Sequence, residues 1–414
     1  MKKQNAKRFI IWGLAIAVLM IGFQFWKNFS EDPDLGDFDS VGHIIALERD
    51  GSRGKVVMFD EAGNRIDAPK PAKSEYDDRE ISWSVDGQRV FTSSNRDSSA
   101  YSVYRWNPAK SKIERRSLGS ISQGAPWFGP YGDPDAKQYG LIQAGGQILA
   151  LEIKTGATGT VLPPSADRVA SEGEGSTSSM DMYSKFGDSF VKARFAGGKD
   201  RVIGLMRNDE GNTLVYHPMV LNENGQPERP AELYRAARIN FDVDQKGVAA
   251  VLVAGFQFPP ESEIPAEFVK DGKVTPPFMD GIFKLAIGAD LKPVVEPVAF
   301  IPVGARETFV DLAVSPDGTK IAVVIGENLP TGGYESRAMV VMPFEAQGSQ
   351  KMTPIIQGAV SSPSWSADGT QITYLKTTGS DTDVYRANAD GSTELKLTNG
   401  GNWSSPLFSP QLPK

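Results

Sequence analysis

The segment WSADGTQITYLKTTGSDTDVYRANADGSTELKLTNGG, from Trp365 to Gly401, constrains this chain most. A short strand ends in the tight turn Ser366-Ala367-Asp368-Gly369, and an alternating strand follows from Gln371. Asp383 to Ala387 forms the next strand, and Asn388-Ala389-Asp390-Gly391 turns it into another. Tight Asp-Gly turns between alternating runs mark antiparallel hairpins. The same order appears at Trp83 to Trp106, where Trp83, Asp86 and Gly87 correspond to Trp365, Asp368 and Gly369. A third copy, LAVSPDGTKIAVVIG, runs from Leu312 to Gly326 and carries Asp317 and Gly318. Repeated four-stranded units of this kind predict an all-β chain folded as a single β-propeller.

The pattern resembles the TolB-like propeller repeat, a relative of WD repeats. It is specific in the three units just named, and the repeat phase covers nearly everything after residue 40. That resemblance implies a binding platform. Such propellers also serve as the gating domain of prolyl-oligopeptidase-type peptidases and as the second domain of TolB. This chain is expected to carry neither companion, with no room for TolB's amino-terminal domain before residue 41 or for a hydrolase domain after residue 410.

Seven innermost strands are expected, and six blades is the alternative count. They are Ile81–Ser84, Ala125–Phe128, Met180–Tyr183, Ile239–Val243, Leu312–Val314, Pro363–Ser366 and Pro406–Pro410. The last has no partner strands after it. Residues 43–48, 55–59 and 64–67 supply three strands without an innermost one. The carboxyl-terminal strand is therefore expected to complete the first blade and remove a free sheet edge.

The first 27 residues stand apart. Lys2, Lys3, Lys7 and Arg8 precede an apolar run from Phe9 to Trp26, interrupted by Gln24. Such a run spans ~27 Å as a helix, close to the hydrocarbon thickness of a bilayer. Bulky Phe25 and Trp26 stand where a cleavable signal needs small residues, so the run reads as an uncleaved transmembrane anchor. The basic flank stays in the cytoplasm. Residues 1–27 are thus a cytoplasmic stub and inner-membrane anchor, 28–40 an acidic linker, and 41–414 a propeller in a bacterial periplasm.

The whole chain has a net charge of −7, and all its acidic residues lie beyond residue 27. An acidic exported part argues against nucleic acid as a partner. With no cysteine and only two histidines, His43 and His217, thiolate and multi-histidine metal sites are excluded. Ser52-Arg53-Gly54-Lys55 and Lys154-Thr155-Gly156 match fragments of penicillin-binding-protein motifs, but both fall in hairpin turns and no Ser-Asp-Asn accompanies them. Neither Asp242-Val243-Asp244 nor the acidic linker continues into a calcium-loop spacing. No cofactor is expected, although a calcium ion held in the channel by backbone, Asn or Asp oxygens is left open.

Asp86, Asp317 and Asp368, with Gly87, Gly318 and Gly369, have a structural role as turn formers. Trp83, Trp127 and Trp365 are expected to pack between blades. Residues 163–179, 257–280 and 326–337 depart from minimal repeats and should emerge on the face opposite the Asp-Gly turns. Phe256, Phe258, Phe268, Phe278 and Met279 lie in or beside the longest of them and form the candidate partner-binding set. The expectation is a non-enzymatic protein-interaction module with partners in the cell envelope. The alternatives are a metal-dependent lactonase- or lyase-type enzyme, or a small-ligand or glycan sensor, using the central channel.

Overall fold

A computed structural model describes residues 38–414 apart from 72, 118–121, 130–138, 164–188, 199, 209–210, 221–229, 257–268, 271–272, 275–278, 289, 303–305, 331–332, 346–351 and 413–414. The expected anchor, Phe9 to Trp26, lies outside the described residues. Among the described residues, no helix is long and apolar enough to cross a membrane.

The described chain is almost entirely antiparallel β-sheet. Asp78–Trp83, Val90–Ser94, Ser102–Asn107 and Lys112–Arg115 form one four-stranded sheet in simple up-and-down order. Trp127–Phe128, Tyr139–Ala144, Gln147–Glu152 and Thr158–Leu162 form the next. Ser189–Phe195, Arg201–Asn208, Gly211–Pro218 and Ala231–Ala236 follow. Arg238–Val243, Ala249–Phe256, Met279–Ile287 and Pro293–Pro302 come after them, then Glu307–Val314, Lys320–Asn328, Tyr334–Pro343 and Pro354–Gln357. Ala359–Trp365, Gln371–Thr378, Asp381–Asn388 and Leu395–Lys396 continue the pattern.

The final strand, Asn402–Phe408, pairs antiparallel with Ile44–Asp50, which continues into Arg53–Phe59 and Arg65–Asp67. The carboxyl end therefore supplies the first strand of the first sheet. Ser409 N donates to His43 O at 2.8 Å, and Ser40 N donates to Gln411 Oε1 at 2.7 Å, which pins the joint on its far side. A single parallel bridge, Thr382 to Asn402, connects this sheet with the preceding one.

The cores explain why second strands read as continuous apolar runs. Lys320–Asn328 is buried from Ile321 to Gly326, and Ala249 to Ala254 is buried without a break. A sheet covered on both faces hides both sets of alternating side chains. Ile203, Leu214 and Tyr216 pack against Phe241, Val251 and Phe283 of the next sheet. Ala250, Leu252 and Ile282 turn the other way, onto Phe309, Leu312 and Val323. This sheet-to-sheet succession ends where Leu375 and Val384 meet Ile44, Ala46, Val57 and Phe59, so the last sheet packs on the first.

The repeated turns share one geometry. Ser84, Ser315 and Ser366 donate their hydroxyls to Asp86, Asp317 and Asp368, at 2.6, 2.6 and 2.7 Å. Each aspartate also accepts the amide two residues on, and the glycine between adopts φ of +70°, +70° and +68°. A side chain is disfavoured at that φ. Trp83 Nε1 donates to Leu407 O at 3.1 Å, and Trp365 Nε1 to Ala313 O at 3.0 Å. Both tryptophans tie a first strand to the first strand of the preceding sheet.

Two sequence expectations change. Met180–Tyr183 lies outside the described residues, and the first strand of its sheet is Ser189–Phe195. Its Lys192 and Arg194 broke the apolar signature by which the other first strands were found. Residues 326–337 are mostly strand, since Lys320–Asn328 and Tyr334–Pro343 pair as far as Asn328 with Tyr334. The elaboration there shrinks to the few residues between Asn328 and Tyr334. The 257–278 insertion does join the second and third strands of its sheet.

Candidate functional site

First strands from several sheets converge on one cavity of about 400 Å³. Strands alternate their side chains, so residues two apart share a face. Lys192 and Arg194, Asn240 and Asp242, Asp311, and Ser362 and Ser364 all line it. A second, smaller cavity of about 210 Å³ is lined by Trp83 and Phe128 and shares Arg194, Val243 and Phe408 with the first. Asp244, Gln245, Pro316, Ala367 and Pro410 also line the larger cavity. These residues sit in or beside the turns that follow the first strands, so the cavity reaches the Asp-Gly turn face.

The polar groups of this cavity are partly satisfied by one another. Lys192 Nζ donates to Asn240 Oδ1 at 2.9 Å and to Phe241 O. Asn240 Nδ2 donates to Asp311 Oδ1 at 2.6 Å. Asp311 also accepts Leu312 N at 2.9 Å and Ser362 N at 3.1 Å. Asp242 Oδ2 accepts Val314 N at 3.0 Å. Glu80 Oε2 accepts Ala125 N at 3.0 Å. Arg194 Nη1 donates back to Ala193 O at 2.9 Å, and its guanidinium lies 4.8 Å from the centre of the Trp127 ring. These bonds lash neighbouring first strands together around the cavity.

Electrostatics there are unusual for side chains that still touch cavity space. Burial, reinforced by the charge of Arg194, lowers Lys192 to about 8. Burial also lowers Arg194 to about 10, against the attraction of Asp242 and Glu80. Asp311 and Glu80 are both pushed above the usual carboxylate range, chiefly by desolvation. Lys192, Arg194 and Asp311 are half-buried and Glu80 is exposed, so neighbouring protein displaces only part of the water around their charged forms.

Of the candidate partner-binding residues, Phe256 and Met279 lie elsewhere. Phe256 and Met279 stand opposite each other, at the end of the second strand and the start of the third in their sheet. Phe258, Phe268 and Phe278 lie outside the described residues. Beside the root of this insertion, Arg238 Nη2 donates to Thr308 Oγ1 and to Phe309 O, both at 2.6 Å. Asp280, next to Met279, accepts from Thr308 Oγ1 and lies 3.8 Å from the Arg238 guanidinium. That guanidinium lies 4.4 Å from the centre of the Tyr334 ring. Tyr334 is 42% exposed and Leu329 38%, and both lie where Lys320–Asn328 and Tyr334–Pro343 of the adjacent sheet come together.

Sequence reasoning missed both the Arg238–Tyr334 stack and the charged cavity. The cavity had a usable signal, because Lys192/Arg194 and Asn240/Asp242 place polar residues at alternate positions of otherwise apolar first strands. Arg238 gave none, since its partners lie 42 to 96 residues away in sequence. His43 Nδ1 lies 3.2 Å from Val41 O and its ring meets Phe38 edge-on, while His217 pairs with Val202 inside its sheet. Among the described residues, no group of three His, Cys, Asp or Glu could hold a metal ion.

No family model matches the sequence, and no curated protein matches it. Solved structures do match. Prolyl oligopeptidase B from Galerina marginata is 10% identical, with 87% of this chain and 49% of that one covered, at a TM-score of 0.51. A β-propeller domain from Myceliophteria thermophila is 12% identical, with 84% and 94% covered, at a TM-score of 0.50. TolB from Acinetobacter baumannii is 13% identical, with 91% and 68% covered, at a TM-score of 0.48. The chain spans about half the length of the oligopeptidase. At such identities the likeness is one of fold, and it agrees with an all-β propeller.

Proposed function

We propose that this chain is a seven-bladed, membrane-anchored propeller outside the cytoplasm, serving as a protein-binding platform in a bacterial envelope. The succession of inter-sheet cores that ends on the first sheet supports the blade count. The apolar run behind a basic flank supports the anchor and its orientation. One observation carries the binding role. At the root of the 257–278 insertion, Tyr334 and Leu329 are exposed together beside a buried hydrogen-bond network that holds Arg238 against the tyrosine ring. An aromatic side chain pre-positioned on a rigid sheet, with an arginine beside it, has the make-up of an interface anchor. Phe256 and Met279 pair at the root of the same insertion.

Crosslinked membranes that contain the full-length chain test this reading. Replacing 257–278 by a short Gly-Ser turn should leave the melting temperature nearly unchanged, because loop shortening alters closure entropy little. Tyr334→Ser should likewise fold. Each change should reduce recovery of the native crosslinked partner, for Tyr334→Ser by about 30-fold in affinity if the tyrosine is a hot spot of about 2 kcal/mol. Equal recovery from altered and unaltered protein would remove this face from the site.

Topology is tested separately. A reporter that is active only outside the cytoplasm, fused after Lys414, should function. Activity of a cytoplasm-only reporter at that position would overturn the orientation.

A further inference from the structure

We propose that the central cavity is a binding site for a small zwitterion of amino-acid size, its carboxylate held by Arg194 and its ammonium by Asp242. This inference stands apart from the platform reading, since it concerns a different face and different residues.

The argument begins with charges that do not meet. Lys192, Arg194, Asp242 and Asp311 all line the same space, and Glu80, on the first strand two sheets earlier, acts electrostatically on Arg194. Among the described residues, Arg194 has a single hydrogen bond, from Nη1 to the carbonyl of Ala193. Its Nε and Nη2 donors have no acceptor among the described residues. The guanidinium lies against Trp127, which fixes the plane of the fork. Asp242 uses only Oδ2, on Val314 N, and its Oδ1 meets no donor among the described residues. Neither residue forms an ion pair with the other or with Lys192. Charges set partly out of water are normally paired by direct contact, because separation there is costly.

Lys192 and Asp311 differ from this pair. Asn240 joins them, taking a bond from Lys192 and giving one to Asp311, so their hydrogen bonding is largely internal. Among the described charged groups that line the cavity, the guanidinium of Arg194 and Oδ1 of Asp242 keep the most free hydrogen-bonding capacity, on neighbouring first strands. A ligand with a carboxylate at one end and an ammonium at the other completes both. Arginine's fork suits a carboxylate in two-point contact. The cavity, about 400 Å³, lies in the ordinary range for small-molecule sites. Its opening among the turn residues Asp244, Gln245, Pro316 and Ala367 gives a small solute a route from the Asp-Gly turn face.

The full-length chain, in detergent, should be titrated with glycine, β-alanine and γ-aminobutyrate, and with propionate and propylamine as single-charge probes. At saturation, at least one zwitterion should raise the melting temperature by roughly 3 °C, since a ligand that binds only the folded form stabilises it. Propionate and propylamine should give less than a third of that shift. Arg194→Gln and Asp242→Asn should each weaken zwitterion binding by at least about tenfold. Asp242→Asn keeps an acceptor for Val314 N, so it should fold even if Arg194→Gln does not. If propionate protects as well as the zwitterions, and Asp242→Asn leaves that protection intact, the site takes plain anions and the proposal falls. If no probe shifts the melting temperature, the cavity charges are served by solvent alone and the proposal falls as well.

Discussion

Deleting residues 403–414 should abolish cooperative folding of the whole propeller. The removed strand is the first of its sheet, and every bond it makes to Ile44–Asp50 joins the two ends of the domain. Trp403 and Phe408 are each 5% exposed and fill the core between the last sheet and the first. Burying two such aromatic side chains stabilises by roughly 1.5–3 kcal/mol apiece. The deletion also removes the carbonyl of Leu407 that accepts Trp83 Nε1, and the hydroxyl of Ser409, 2.6 Å from Ser40 Oγ. It leaves the inner edge of Ile44–Asp50 unpaired, and a free edge invites aggregation. Together these losses rival the net stability of an ordinary domain, about 5–15 kcal/mol. Thermal unfolding followed by circular dichroism, with limited proteolysis, checks the outcome. A truncated chain that melts at the temperature of the intact one would mean that the ring does not depend on this joint.

The joint was legible in the sequence because a strand without followers and three strands without a leader are complementary deficits. The Asp-Gly turns were legible for a local reason. Ser84-x-Asp86-Gly87 and its copies encode their own hydrogen bonds and positive φ within four residues. What escaped was non-local. Ser189–Phe195 reads as a weak strand because its outward-looking chemistry faces a cavity that exists only once neighbouring sheets have closed around it. The same cause hid the cavity itself. Asp242 looked like a member of a local acidic pair with Asp244, yet the two residues do different work. Asp244 accepts the amides of Lys246 and Val248 in its turn, while Asp242 reaches across to Val314 in the next sheet. A two-residue period places them on one face of a strand. Only the strand's end, between them, separates a turn former from a cavity residue.

The second large effect should come from Arg96 and Asp78, which no local pattern announces. Arg96 Nη2 donates to Asp78 Oδ2 at 2.8 Å and Nε to Asp78 Oδ1 at 3.2 Å, with side chains 1% and 0% exposed. The pair is also a bolt between sheets. Asp78 Oδ2 accepts Val56 N at 3.1 Å from the first sheet, and Arg96 Nη1 donates to Pro69 O at 2.7 Å. The adjacent Asp77 accepts Gly54 N at 2.6 Å, and a side chain at Gly54 would place its Cβ 2.2 Å from Asp78 O, so the two sheets meet here at backbone distance. Arg96→Ala strands a buried carboxylate, and Asp78→Ala strands a buried guanidinium together with the Val56 amide. Each should lower stability by about 3–5 kcal/mol. The double variant Arg96→Ala, Asp78→Ala removes both charges and should cost markedly less than the sum of the two, by about 2 kcal/mol or more. Denaturant unfolding of the four proteins measures that difference. Additive losses would show that the two residues stabilise the sheets independently, each through its own backbone contacts, and that the ion pair itself contributes nothing.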